Sequence, residues 1–144
     1  MRVSAKADYA IRAMIELAAA DSDAPVKGDR IAQAQQIPPK FLENILGDLR
    51  NGGLIRSQRG VEGGYRLARP ATEVSVADVI RAVEGPIANV RGVRPDDVEY
   101  TGTALPLRDV WIALRVNLRA VLEAVTLDDL VHGVLPPDVA RLLD

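Results

Sequence analysis

The strongest constraint on the fold is an amphipathic helix predicted between a pair of prolines and a pair of glycines. The helix spans about Pro39 to Asn51, because proline suits a first helical turn and Gly52 with Gly53 supplies a left-handed stop. At about 100° per residue, its apolar and polar residues fall on separate arcs. The apolar arc holds Phe41, Leu42, Ile45, Leu46 and Leu49, and the polar arc holds Lys40, Glu43, Asn44, Gly47, Asp48 and Asn51.

A basic, glycine-rich β-hairpin is predicted directly after this helix. Residues 54–59 and 65–68 have the composition and alternation of strands. The turn between them, residues 60–64, contains three glycines, and Arg59 comes just before it. The hairpin therefore has a positively charged tip.

Two further helices are predicted upstream. Apolar residues recur at helical spacing over residues 3–20, and a polar face of this helix places Asp8 and Arg12 four residues apart. Residues 21–25 break the helix. A short second helix is predicted over residues 29–35.

A capped helix, an irregular segment and a long helix are predicted after the hairpin. Ser75 is the N-cap residue of the capped helix, which ends at residues 85–86. Residues 86–105 show no period, and a segment this long without secondary structure indicates function or disorder. A helix follows over about residues 106–124, and two short helices come after it. The apolar face of the capped helix holds Val76, Val79, Ile80 and Val83.

The long helix carries a narrow apolar seam whose members alternate at steps of four and three. Such a seam is typical of a coiled-coil contact, so we expect it to form a dimer interface. Ile112 and Val116 supply apolar surface on the opposite side. Burial in the core of a single chain is the alternative. The seam residues are Leu107, Trp111, Leu114, Leu118, Val121 and Val125.

The composition is that of one compact globular domain. The chain has 144 residues, 48% of them hydrophobic and 26% charged. It contains no cysteine, which excludes disulfides, thiolate metal sites and cysteine nucleophiles. One histidine, one Trp, three Tyr and one Phe exclude multi-histidine metal sites and aromatic base-stacking surfaces. No signal peptide and no apolar run of membrane length is found, so we expect a cytoplasmic protein.

The charge is distributed unevenly along the chain. Residues 1–70 carry 11 Lys and Arg against 8 Asp and Glu, whereas residues 71–144 carry 7 against 12. A mildly basic first half is compatible with a nucleic-acid surface on that half.

The predicted order of helix, short helix, turn, amphipathic helix and basic hairpin is that of a winged helix-turn-helix domain. In such a domain the third helix enters the major groove. Asn44 can offer a donor and an acceptor to adenine, Glu43 can accept from cytosine, and Lys40 can reach guanine or phosphate. Arg59 can enter a minor groove or pair with phosphates, and the neighbouring glycines allow a close approach to DNA. The alternative is that these side chains form only a solvated surface.

Five motifs are specific enough to indicate a family. They are Ala7-Asp8-Tyr9-Ala10, Ile31-Ala32, residues 37–50 (IPPKFLENILGDLR), residues 53–60 (GLIRSQRG) and residues 63–68 (GGYRLA). Together they resemble the Rrf2 family of bacterial regulators. The resemblance covers residues 1–85 in detail and extends to about residue 132 in outline.

The resemblance implies a mainly α fold with a small β-hairpin. Residues 1–85 would form a winged helix-turn-helix domain, residues 86–105 an effector-sensing loop, and residues 106–144 a dimerisation helix with short C-terminal helices. It also implies a homodimeric transcription factor, with its long helices crossed at the dimer interface, on a palindromic DNA site. Carried over by position, the DNA-binding residues are Pro39, Lys40, Glu43, Asn44, Arg59, Gly60, Gly63, Gly64 and Tyr65.

The iron-sulfur members of this family hold their cluster with three cysteines in the loop before the dimer helix. That loop corresponds to residues 88–105 and contains none, so an iron-sulfur sensor is excluded and no cofactor is expected. Asp8 matches a position that ligates the cluster in some members, but we expect it to form a helix ion pair with Arg12. DNA binding would then be constitutive or set by a small molecule or partner protein, with the effector pocket between the loop and the long helix.

No catalytic constellation is found. His132 has no serine or cysteine in a plausible order beside it, and residues 60–64 lack the Lys-Ser/Thr of a phosphate loop. The acidic pairs at 96–97 and 128–129 are typical of loops and helix starts, although they can attract a hard cation. The sequence therefore predicts a DNA-binding regulator, most simply a repressor, and not an enzyme. A protein-interaction module on the same scaffold, without a DNA site, is the alternative.

Overall fold

The computed structural model describes residues 1–20 and 24–144, so the predicted break at 21–25 lies largely outside the described residues. The fold is mainly helical with one antiparallel hairpin, as predicted. Two short terminal helices and four 3₁₀ turns complete it. The elements are α1 (Ala5–Ala19), α2 (Gly28–Gln35), α3 (Pro39–Asn51), β1 (Ile55–Gln58), β2 (Gly64–Leu67), α4 (Val76–Glu84), α5 (Leu107–Ala124), α6 (Leu127–His132) and α7 (Pro137–Ala140).

One main core lies between α1, α2, α3, α4 and α6. Met14, Ile45 and Leu49 are fully buried there, as the helical spacing predicts. Leu127 of α6 is equally buried in the same core, so residues after 106 share a core with the first three helices. Phe41 was predicted on the buried arc of α3, but 38% of it is exposed. Its ring instead meets the edge of Tyr9, with centroids 5.6 Å apart.

The hairpin pairs Ile55 with Leu67 and Gln58 with Gly64. Val26, just before α2, forms an additional bridge with Tyr65. This bridge attaches the hairpin to the helix-turn-helix. The hairpin is therefore the wing of a winged helix-turn-helix fold.

Residues 86–105 are more regular than the sequence predicts. They contain 3₁₀ turns at Pro95–Asp97 and Gly102–Ala104, and Pro95 is fully buried. The carboxylate of Asp96 accepts a hydrogen bond of 2.6 Å from Arg115 of α5. The hydroxyl of Tyr100 accepts one of 2.9 Å from the indole N–H of Trp111. These contacts come from a distant helix, which is why no period within the segment indicates them.

None of the residues of α5 is buried in the single chain. The prediction that Val125 belongs to the dimer seam is wrong. Val125 is buried in a second cluster of this chain with Val76 and Val139. The helix ends at Ala124, and the extended backbone of Val125 turns its side chain towards α4 and α7. Ile80, predicted on the buried face of α4, is half-buried against the same cluster.

The seam of α5 borders a cavity of about 520 Å³ within the chain. Trp111, Leu114 and Leu118 form one wall, and the other includes Val3 and Ile80. On the outward side of α5, Val110 and Val116 are 54% and 60% exposed. Both sides of the helix thus present apolar surface. Within the described ranges, no helix combines the length and apolar character needed to span a bilayer.

Candidate nucleic-acid interface

The turn between α2 and α3 sets the position of the third helix. Gln36 ends α2 in the left-handed conformation, at φ 54°, and the N–H of Ile37 donates to the carbonyl of Ala32 at 2.9 Å. Two prolines then start α3. The Arg12 guanidinium donates to the carbonyl of Gln35 at 2.7 Å, lies over the Tyr9 ring and pairs with Asp8 at 3.0 Å. The predicted Asp8–Arg12 pair is therefore present within α1, and the hydrogen bond from Arg12 to Gln35 joins α1 to the end of α2.

Most of the polar arc of α3 is exposed, as predicted, and only Gly47 and Asp48 are half-buried. Pro39, Lys40, Glu43 and Asn44 all face solvent, whereas Leu42 and the other apolar residues behind them are buried. Lys40, Glu43 and Asn44 make no ion pair or side-chain hydrogen bond with any described residue. Their donors and acceptors are consequently available to base edges.

Asp48 belongs to the same arc but is already paired. Its carboxylate lies 2.7 Å from the ammonium group of Lys6 on α1. Half-buried Asp48 therefore differs from Glu43, whose carboxylate is without such a partner.

The wing tip carries Arg59 and Gly60, both exposed. Gly60 has a φ of 105°, and open space surrounds the position where a Cβ would lie. The tip of the wing therefore carries a cation, Arg59, next to a glycine, as the sequence predicts. Tyr65, half-buried behind the tip, packs against the main core.

Gly63 and Gly64 were predicted to allow a close approach to DNA, and the structure gives them a different reason. A Cβ on Gly63 would lie 2.2 Å from the carbonyl oxygen of Gln58, and one on Gly64 would lie 2.5 Å from that of Val26. Gly63 is buried, and its N–H donates to Gly60. These two glycines are required by the packing of the chain on itself.

Two adjoining hollows connect the wing to the helix-turn-helix. One, of about 320 Å³, lies between the start of α2 and the start of α3 and is lined by Lys27, Lys40 and Glu43. The other, of about 450 Å³, is lined by Lys27, Arg50 and Arg59. Lys27 and Arg50 were missed by the sequence analysis. Lys27 immediately precedes a helix and Arg50 follows the polar arc, but only the fold brings both beside the wing.

The exposed cations of this region differ in their pairing from those elsewhere. Six lysines and arginines on or next to α2, α3 and the wing form no ion pair with a described carboxylate. The carboxylates of Asp29, Glu43 and Glu62 in the same region are also unpaired. In residues 71–144, by contrast, most arginines are paired, as Arg81 is with Glu123 and Arg141 with Asp138. Unpaired guanidinium and ammonium groups are the donors that a phosphate backbone requires. The unpaired set is Lys27, Arg30, Lys40, Arg50, Arg56 and Arg59; Arg66 of the wing also has no ion pair but donates a hydrogen bond to Gln58.

Comparisons with known proteins agree with this geometry. The sequence profile of the Rrf2 family, described as iron-dependent transcriptional regulators, matches residues 3–133. The chain is 55% identical over its whole length to Rv1287 of Mycobacterium tuberculosis and covers 89% of that protein, whose name describes it as an HTH-type transcriptional regulator. It is 35% identical to the HTH-type transcriptional regulator CymR of Bacillus subtilis over 90% of this chain and 89% of the relative.

Solved structures show the same similarity. CymR, the global cysteine regulator of B. subtilis, superimposes with a TM-score of 0.76 over 92% of this chain and 98% of that one, at 35% identity. IscR of T. potens gives a TM-score of 0.75 over 92% of this chain and 88% of that one, at 31% identity.

The residues present do not fit an iron-sulfur cluster. The sequence has no cysteine, and the carboxylate of Asp8 is paired with Arg12. No group of three or more His, Asp or Glu side chains placed to hold a metal occurs in the described part of the chain. The residues of this chain therefore do not provide the ligands of such a cluster. With its winged fold and the matches over almost its full length, the chain belongs to the Rrf2 family of helix-turn-helix transcriptional regulators.

Proposed function

We propose that this protein is a homodimeric repressor that binds a palindromic DNA operator without a cofactor. The observation that carries the proposal is the set of unpaired, exposed cations on α2, α3 and the wing. Each two-fold-related recognition helix would enter a major groove, about 34 Å from the other. Chromosomal DNA is the partner, which implies a cytoplasmic location.

Base choice and affinity would come from different residues. Asn44, Glu43 and Lys40 project from the exposed arc of α3, where they can read base edges, and Pro39 starts that helix beside them. Arg59 and Gly60 would contact the flanking backbone. Lys27 is the N-cap residue of α2 and no side chain caps this helix, so a phosphate can accept from the first N–H groups there. Tyr65, Gly63 and Gly64 would act indirectly, by holding the wing in position against the rest of the domain.

The dimer would form through α5. None of its residues is buried in the single chain, and apolar side chains occupy two of its sides. We assign the contact to the seam residues Leu107, Trp111, Leu114, Leu118 and Val121. The outward side, with Val110 and Val116, is the alternative surface. DNA binding is thereby assigned to residues 1–85, effector sensing to 86–105 and dimerisation to the helix that follows.

The dimer is tested by sedimentation equilibrium on two variants. Leu118→Lys should give a monomer if the seam forms the contact. If only Val116→Lys gives a monomer, the contact lies on the outward side of α5 instead. A native protein that is monomeric at micromolar concentration would overturn the dimer.

The DNA site is tested by incubating the protein with genomic fragments of its source and sequencing those it retains. We expect a palindrome to be enriched. The matched variants are Lys40→Ala/Asn44→Ala, which should lose the enrichment, and Arg141→Ala, which removes a paired arginine outside the interface and should keep it. Transcription in vitro from an enriched promoter should then fall on addition of protein. Equal retention of all fragments would refute sequence recognition, and no DNA retention at all would favour the protein-interaction module.

A further inference from the structure

A second pocket lies where α4, the start of the 86–105 segment and α5 meet. It has a volume of about 390 Å³, and we call it the arginine pocket because Arg81, Arg94, Arg115 and Arg119 line it. Glu123 and residues 86–88 complete its walls. We propose that the arginine pocket binds a small dianion, either a phosphate-like oxyanion or a dicarboxylate.

The charge of the pocket is opposite to that of its surroundings. Residues 71–144 carry 7 Arg against 12 Asp and Glu, and four of those seven arginines line this one pocket. Like charges are costly to hold together, so their concentration in an acidic half of the chain requires compensation. A bound anion would supply part of this compensation.

The carboxylates nearby compensate only part of this charge. Asp96 pairs with Arg115 at 2.6 Å and with Arg94 at 3.3 Å. Glu123 accepts from Arg119 at 3.0 Å and pairs with Arg81. Counting Asp78, which stands 4.0 Å from Arg81 while its other oxygen caps α4, a surplus of one positive charge remains.

Hydrogen-bond donors are also in surplus. Each guanidinium has five N–H groups in a planar fork. Glu123, which lines the pocket, and Asp96, which lies outside the lining, accept from only a few of them. Carboxylate and phosphate oxygens match this fork in pairs. The chemistry of the walls therefore selects anions with at least two oxygens over halides.

The backbone of one wall is held in an unusual conformation. Ala88 has a φ of 55°, which residues with a Cβ rarely adopt, and it borders both the arginine pocket and the apolar cavity beside α5. Such outliers cluster at ligand sites and switch regions. A ligand in the arginine pocket would contact this wall directly.

Binding would join three parts of the molecule. Arg81 belongs to α4, which packs on the recognition helix, Arg94 belongs to the 86–105 segment, and Arg115 and Arg119 belong to α5. One anion that contacts all of them would couple the segment and the proposed dimer helix to the DNA-binding domain. This coupling rests on the proposed function, whereas anion binding itself does not.

Isothermal titration calorimetry with inorganic phosphate and with succinate, at constant ionic strength in chloride, tests the site. We expect saturable binding of at least one of them to the full chain. The double variant Arg94→Gln/Arg119→Gln should weaken it tenfold or more, and Arg141→Gln, which removes an exposed arginine elsewhere, should leave it unchanged. Arg94→Gln alone, on a side chain outside every helix, repeats the test if the double variant fails to fold.

The outcomes separate the ligand classes and the two proposals. Phosphate alone assigns an oxyanion site, and succinate alone assigns a dicarboxylate site. Absence of saturable binding, or equal binding to Arg94→Gln, overturns the proposal. A change in DNA affinity on adding the anion at fixed ionic strength supports the coupling. If the protein binds no DNA but still binds the anion through these arginines, only the proposed function fails.

Discussion

Val26 and Tyr65 are joined by two backbone hydrogen bonds: the N–H of Val26 donates to Tyr65 at 2.8 Å, and that of Tyr65 donates to Val26 at 2.7 Å. The wing is therefore attached to the chain just before α2, as well as to α3 through β1. Its position relative to the recognition helix is set at two points. Gly64 lies beside this bridge, where a side chain would meet the carbonyl of Val26.

Gly64→Ala should destabilise the protein by about 1–3 kcal/mol, since a Cβ there combines an unfavourable φ with a backbone clash. Urea unfolding measures the change. Gly60→Ala is the matched control, because it also has a positive φ but open space around its Cβ position. Equal losses in the two variants would mean that the clash with the Val26 carbonyl contributes nothing.

Arg59→Ala should weaken DNA binding and make its salt dependence shallower by about one phosphate contact, which is a change of about 0.9 in the slope of log K against log salt. Fluorescence anisotropy over a range of potassium chloride concentrations measures both. Arg141→Ala, which alters the net charge equally, should leave the slope unchanged. An unchanged slope in Arg59→Ala would remove the wing tip from the interface.

Asn44→Ala should relax base choice at one position of each half-site, at a cost of about 1–3 kcal/mol for the preferred base pair. Competition binding with operators substituted at each position locates the effect. Asn51→Ala, at the far end of α3 and also exposed, should not alter base choice. A uniform loss over all sequences would indicate that Asn44 contacts the backbone.

Acid should weaken the attachment of the 86–105 segment to α5. The hydrogen bond from Arg115 lowers the pKa of Asp96 below its usual 3.8. The charges of Arg115, Arg94 and Arg108 lower this pKa further, whereas partial desolvation raises it. Because the folded pKa is the lower one, the stabilisation is present above pH 3.8 and is lost as pH falls below it. Asp96→Asn should therefore unfold more easily than the native protein at pH 6, and the difference should shrink towards pH 3. Glu62→Gln in the wing turn controls for the loss of one charge, and a difference independent of pH would contradict the expectation.

Leu127→Ala should lower the free energy of unfolding by about 2–5 kcal/mol, because Leu127 is fully buried between α6 and the main core. Chemical unfolding at neutral pH measures it. The control is Leu143→Ala, 75% exposed, which should stay within about 0.5 kcal/mol of the native protein. A small loss at Leu127 would mean that the C-terminal helices are not part of the main core.

Local signals predicted much of this fold correctly. The prolines and glycines that frame α3 act within one turn of the chain, and its bounds of Pro39–Asn51 are confirmed. Ser75 caps α4 in a reciprocal capping box, again a contact across three residues. Most of the polar arc of α3 faces solvent as predicted, whereas its contacts with DNA stay predictions.

The parts that sequence could not predict depend on distant partners. The 86–105 segment is ordered by Arg115, which is remote along the chain and carries no local pattern. Val125 continued the seam by spacing, but the helix ends before it and the core formed with Val139 takes it up. Lys27 joins the candidate interface only because the bridge at Val26 brings it beside the wing.

The ion pair between Lys6 and Asp48 has a consequence for how DNA would encounter this surface. Asp48 is a negative charge on the very helix that would approach a polyanion, and Lys6, on α1, balances it at 2.7 Å. The repulsion between Asp48 and the phosphate backbone is thereby reduced, and the cations of α3 and the wing remain unpaired. The electrostatic field at α3 is thus partly set by a residue of the first helix, outside the segment that we propose reads bases.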